Sequence, residues 1–156
     1  MSRASHVEAV AADYADALGL DRAGLDESGR MTLDFDGMAV TFAFEAEPIE
    51  TLTLAADLGR IAEDDAAATV LLLERSSYAF IRNLMTIHLA DDGCAVRAAT
   101  WVPATVLTLP RLQELAEAFI AHALDTREAL GSVGRAGGGS TPDAPPSSPL
   151  IGAIRA

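Results

Sequence analysis

Residues 31–45 read MTLDFDGMAVTFAFE, and this stretch decides the fold. Met31, Leu33 and Phe35 alternate with Thr32, Asp34 and Asp36, the period of two expected of a strand with one buried face. Asp36-Gly37 is a hairpin signal, because both central residues of a type I′ turn take positive φ. Beyond it, Met38, Val40, Phe42 and Phe44 fall on one face and Ala39, Thr41, Ala43 and Glu45 on the other. Pro48 interrupts the pattern. A third strand follows over 49–58, with Leu52, Leu54 and Ala56 alternating against Thr51 and Thr53. Three successive strands, one of them with a polar edge, predict an antiparallel meander.

Outward from the meander the period becomes helical. Val7, Val10, Ala11, Tyr14 and Leu18 recur at helix spacing over 5–18. Ser5 and Glu8 form a capping box there, and Gly19 stops the helix. Asp64 and Asp65 cap a second helix, placed at about 65–77. Its run of Ala66, Ala67, Ala68, Val70, Leu71, Leu72 and Leu73 makes an apolar arc wide enough to need cover on two sides. Residues 84–90 read as a fourth strand with Met85, Ile87 and Leu89 on one face, Asp91-Asp92-Gly93 as a turn, and 94–102 as a fifth strand ended by Pro103. Residues 104–107 suggest a short extra strand. Thr108 caps the last helix, and Pro110 sits in its first turn, where a missing N–H is harmless. Leu109, Leu112, Leu115, Ala116, Phe119, Ile120, Ala123 and Leu124 make its apolar face. The order is α–βββ–α–ββ–α, an α+β domain over 1–130 with helices packed on a twisted antiparallel sheet. From Gly131 onward the composition changes: six of the twelve glycines and four of the seven prolines lie in 131–156, which reads as a disordered tail. Residues 149–154 turn apolar again, as a fraying end or a short docking motif.

Composition excludes several chemistries. All eleven cations are arginine, so there is no lysine for a phosphate loop, a Schiff base or a general base. The net charge is −12, and over 1–130 nine arginines stand against 22 acids. That balance speaks against nucleic acid, which needs a basic stripe, and against anionic lipid. The single cysteine, Cys94, excludes an internal disulfide framework and suits a reducing compartment. The first residues are amphipathic and acidic rather than a signal peptide, and no apolar run approaches the ~18 residues of a membrane span. The expectation is a soluble cytoplasmic protein without a cofactor.

Candidate reactive groups are sparse. His6, His88 and His122 lack metal-ligand spacing, although His88 and Cys94 flank the 91–93 turn and invite a comparison with a metal pair. Ser76-Ser77 lack a nucleophile motif. The acidic pairs Asp34/Asp36, Glu45/Glu47 and Asp91-Asp92 lie at turns, where capping and solvation explain them. Trp101 shares a strand face with Arg97 and Ala99, and reads either as core or as an interface anchor.

The opening helix HVEAVAADYADALGL, the pair MTLDFDGMAVTFAF, the leucine-rich AAATVLLLERSSYAF, the hairpin NLMTIHLADDGCAVRAATWVP and the closing LTLPRLQELAEAFIAHAL follow in an order that resembles the CesT/Tir-chaperone family, the class I effector chaperones of type III secretion. The likeness covers about residues 5–128 and leaves the tail outside. It implies a cytoplasmic homodimer without enzymatic activity, one that serves protein transport in virulence. Such a chaperone binds the N-terminal segment of one or more secreted effectors, keeps it partly unfolded and passes it to a secretion ATPase or export gate. On that reading Val7, Val10 and Tyr14 of the first helix and Ala39, Thr41 and Ala43 of the second strand are the candidate effector contacts, the small residues admitting another backbone. Val70, Leu71, Leu72 and Leu73, with Trp101, are the candidate dimer seam. The alternative is a regulatory α+β module with a small-molecule pocket enclosed between sheet and helix. An enzyme built on carboxylates or on the His88/Cys94 region is a third reading.

Overall fold

The computed structural model describes residues 2–20, 23–62, 64–83 and 85–137. The elements are α1 (Arg3–Ala17), β1 (Arg30–Phe35), β2 (Met38–Glu45), β3 (Thr51–Arg60), α2 (Ala66–Asn83), β4 (Thr86–Leu89), β5 (Ala95–Pro103), a 3₁₀ turn (Ala104–Val106) and α3 (Leu109–Gly137). The five strands form one antiparallel sheet in the order β1-β2-β3-β5-β4. The β1–β2 turn is built as its residues dictate. Asp36 and Gly37 take φ of 52° and 73°, and the Asp34 carboxylate accepts the Gly37 N–H at 2.9 Å. Phe35 then faces Met38 and Leu33 faces Val40, so the apolar residues of the hairpin fall on one side.

That side is the core. Val40, Phe42, Leu52, Leu54, Leu58, Val96 and Ala98 are buried there. From α1 they meet Val7, Ala11 and Tyr14, and from α3 Leu112, Ala116, Phe119 and Ala123. The Tyr14 and Phe42 rings lie tilted at 5.5 Å between centroids. The space that a small-molecule module would keep open between sheet and helix is filled by Phe42, Leu52, Leu54, Leu112 and Phe119, none more than 1% accessible.

Four boundaries differ from the sequence reading. The first helix starts earlier: Ser2, not Ser5, is its N-cap, its hydroxyl accepting the Ser5 N–H at 3.2 Å. The second helix continues past the serines to Asn83, because Ser77 turns its hydroxyl back onto the Leu73 carbonyl while Ser76 reaches the Ile87 carbonyl. The expected strand at 104–107 is a 3₁₀ turn. The β5 ladder ends at Pro103, and the Ala104 N–H goes to the Glu50 carbonyl. The last helix runs through the expected boundary at Gly131 as far as Gly137, held by buried Leu130 and by Val133 against the core. The rest of the expected tail, 138–156, lies outside the described residues. The cap at Asp65 is as expected, its carboxylate accepting the Ala68 N–H at 2.9 Å.

Candidate functional site

The sheet has a second face, and among the described residues no helix covers it. Alternation places Thr32, Ala39, Thr41, Ala43, Thr53, Ala55, Ala99 and Trp101 on it, beside the charged Arg30, Glu45, Asp57 and Arg97. Its centre is a shallow concavity of about 400 Å³, floored by Ala39, Thr41, Ala43, Thr53 and Ala55. The floor is shallow because these side chains are short. The Thr32 and Thr41 hydroxyls face each other at 3.2 Å, and the Arg97 Nε donates to Asp57 at 2.9 Å across the β3–β5 pair. Trp101, opposite Thr53 in the register, stands at one end of this floor and is 54% exposed. Trp101 is therefore not a core residue.

The expected effector contacts are therefore divided. Ala39, Thr41 and Ala43 are brought together on the open face. Val7, Val10 and Tyr14 are not there. They are buried between α1, the sheet and α3, and no partner reaches them without unfolding the core. Burial, with a smaller contribution from Glu117, pushes the Tyr14 hydroxyl above the ordinary tyrosine range.

A second unsatisfied surface lies on α2. Ala68, Leu72 and Ala79 point into the core. Val70, Leu73, Phe80 and Ile81 point the other way, each more than half exposed. Their spacing keeps them on one stripe over three turns, opposite the core. The expected seam is corrected accordingly. Leu72 belongs to the subunit's own core, Leu71 is half-buried, and Trp101 lies on the open sheet face. Val70 and Leu73 remain on the stripe. Phe80 and Ile81 are members that the sequence reading missed, because it ended the helix at the serines. Continuing the period of 70, 73 and 77 by one turn finds both. Leu89, placed with Met85 and Ile87 on one strand face, is 42% exposed at the end of β4 rather than buried.

Between α2 and α3 runs a groove of about 860 Å³ lined by Leu71, Arg75, Tyr78, Ala118, His122 and Asp125 among others. Arg75 pairs with Asp125, and the Tyr78 and His122 rings stack at 5.8 Å, with the Arg82 guanidinium 5.7 Å above Tyr78. The suspected His88/Cys94 pair does not form. The register sets Arg97 opposite His88, and Cys94 donates its N–H to Asp92 in the turn. Among the described residues no group of three or more His, Cys, Asp or Glu is arranged to hold a metal ion, and no helix is long and apolar enough to cross a membrane.

The same arrangement of helices and sheet recurs in solved structures. The chain is similar to a chain in the crystal structure of the ExsC–ExsE complex, with a TM-score of 0.70, 25% sequence identity, and coverage of 83% of this chain and 97% of that one. A chain of the HopA1–SchA chaperone–effector complex shares the fold with a TM-score of 0.67 and 17% identity, over 80% of this chain and 95% of that one. A chain from the Yersinia pestis type III secretion chaperone SycH, in complex with a stable fragment of YscM2, matches with a TM-score of 0.58 and 16% identity, over 80% and 99%. The chain has the fold of a type III secretion chaperone. No protein-family model matches the sequence, and no curated protein does. The α+β order read from the sequence is the order of this chaperone fold.

Proposed function

We propose that this chain is a cytoplasmic type III secretion chaperone that works as a homodimer, binds the N-terminal region of one or more effectors, holds it partly unfolded and hands it to a secretion ATPase or export gate. It acts by binding alone, without a catalytic step. The observation that carries this reading is the match to the ExsC–ExsE structure over 83% of the chain at 25% identity. Two surfaces suit the work. The open sheet face offers a floor of alanine and threonine on which an extended segment lies close to the sheet. The edge strand β1 leaves backbone groups for strand addition, which is tolerant of cargo sequence. The α2 stripe supports the dimer: Val70, Leu73, Phe80 and Ile81 are apolar, share one helix face with Ser77, and are exposed among the described residues. Both subunits carry net negative charge, so apolar burial has to dominate that contact.

Energetics fit a holding function. Burying about 1,000 Å² of cargo and groove gives a gross ~25 kcal/mol, much of which offsets the ordering of the segment.

The test is capture of the tagged protein from its native cytoplasm, with bound chains identified by mass spectrometry and the mass of the complex measured in solution. Two copies of this chain holding a secreted protein through its N-terminal segment is the expected result. A monomer without a polypeptide partner overturns the reading.

A further inference from the structure

Charge sets α2 apart from the other helices. α1 carries one arginine against three acids and α3 three against four, while α2 carries Arg75 and Arg82 against Glu74 alone. Arg75 is taken up by Asp125 of the same subunit. Glu74 and Arg82 are exposed, and among the described residues neither forms an ion pair. They cannot reach each other, because eight residues of helix separate them by about 12 Å. Both lie on one side of the helix with Val70, Ser77, Tyr78 and Ile81, at spacings of three and four residues. This side adjoins the groove to α3, where the short side chains of Ala118 and Ala121 leave room for another helix. An acid at one end and an arginine at the other make such a face complementary to itself only when the second copy is inverted. Glu74 and Arg82 stand four residues before and after Tyr78. A twofold axis near Tyr78 therefore brings each against the other across the contact, twice.

We propose that two copies pair their α2 helices antiparallel about this axis, the Glu74 carboxylate of each accepting from the guanidinium of the partner's Arg82. This inference rests on the α2 dimer proposed above and adds its direction and register. The two ion pairs lie where the copies touch, and they oppose the repulsion between bodies that are acidic elsewhere. They also select against the parallel arrangement, which sets Glu74 against Glu74 and Arg82 against Arg82. Val70 and Ile81 of the proposed seam remain in the contact, and the partner's helix rests over Ala118 and Ala121 at the mouth of the groove.

The test uses the full chain and two single variants, Glu74→Arg and Arg82→Glu. Both positions are exposed, and circular dichroism checks that each variant keeps its helix content. Alone, each variant sets like charges together at both ends of the contact. Sedimentation equilibrium is expected to give a dimer weaker by on the order of tenfold in each. The two changes move the net charge in opposite directions, so weakening in both is not an effect of net charge. Mixed in equal amounts, the two variants restore an acid facing a base at both ends. Native mass spectrometry is then expected to show the mixed dimer well above its statistical share. A statistical mixture overturns the inference, and so do single variants that dimerise as tightly as the parent chain. In either case Ile81→Asp separates the two levels: loss of the dimer in that variant leaves the α2 seam standing with another register, and a retained dimer removes the seam as well. A parent chain that is monomeric at every concentration overturns the dimer reading and this inference with it.

Discussion

Phe42 and Ala43 are neighbours in the chain on opposite sides of the sheet. Phe42 is fully buried against Tyr14, while Ala43 lines the open floor. Phe42→Ala is expected to cost about 3–5 kcal/mol in urea unfolding, because the cavity lies where sheet and helices meet. Ala43→Arg is expected to change stability by less than about 0.5 kcal/mol while abolishing capture of the effector segment, read in the same pull-down. Tyr14 carries a pH signature. Its hydroxyl is raised by burial first and by Glu117 second, so the folded state favours the neutral form. That stability is present below the unfolded tyrosine value of about 10 and is lost as pH rises beyond it. Melting temperature measured from pH 9 to 11 is expected to fall less steeply in Tyr14→Phe. The same residue shows where sequence reading stops. An apolar stripe on α1 has one appearance whether it meets its own sheet or a partner, and only the three-dimensional arrangement shows that Val7, Val10 and Tyr14 are core.

At the scale of elements, the β4–β5 turn depends on one carboxylate. Asp92 accepts the N–H groups of Ala95 at 2.8 Å and Cys94 at 3.0 Å and pairs with Arg60, which holds its carboxyl at about 2, below the ordinary carboxylate range. A depressed value means that the ionised form favours the folded turn. The contribution is present above about pH 4 and lost as pH falls towards 2. Asp92→Asn is expected to flatten the dependence of melting temperature on pH across that window. The α2 helix makes a sharper statement. Ile81 is 80% exposed and packs against no core residue among the described residues, so on the proposed dimer Ile81→Asp is expected to leave the circular dichroism spectrum unchanged and shift sedimentation from dimer to monomer. Strands and helix order were legible because alternation and the 3.6 period are local. The end of α2 was not, since two adjacent serines that compete with the backbone for hydrogen bonds are accommodated here by bonds to the Leu73 and Ile87 carbonyls. The open sheet face was legible in part: the short side chains of Ala39, Thr41 and Ala43 marked it, but its extension across β3 and β5 to Trp101 depends on a register that only tertiary pairing sets.

At the scale of the molecule, charge opposes association and apolar area favours it. Residues 1–130 hold nine arginines against 22 acids, so two such bodies would repel across the proposed seam. Raising salt from about 50 mM to about 500 mM shortens the screening length severalfold and is expected to tighten the dimer in sedimentation. The sheet order has a further consequence. β3 pairs with β5, from Thr51 opposite Pro103 to Arg60 opposite Ala95, and the whole of α2 and β4 lies between them in the chain. A ribosome making about 5–20 residues per second therefore releases the three-stranded meander with one edge open for a few seconds before β5 arrives to close it. The core face waits longer still, because α3, which packs on β3 with its buried Leu52 and Leu54, is the last of the described elements to be translated. A nascent chain arrested before residue 109 presents both an unpaired edge and a bare apolar sheet, and so depends on the cell to keep both from aggregating.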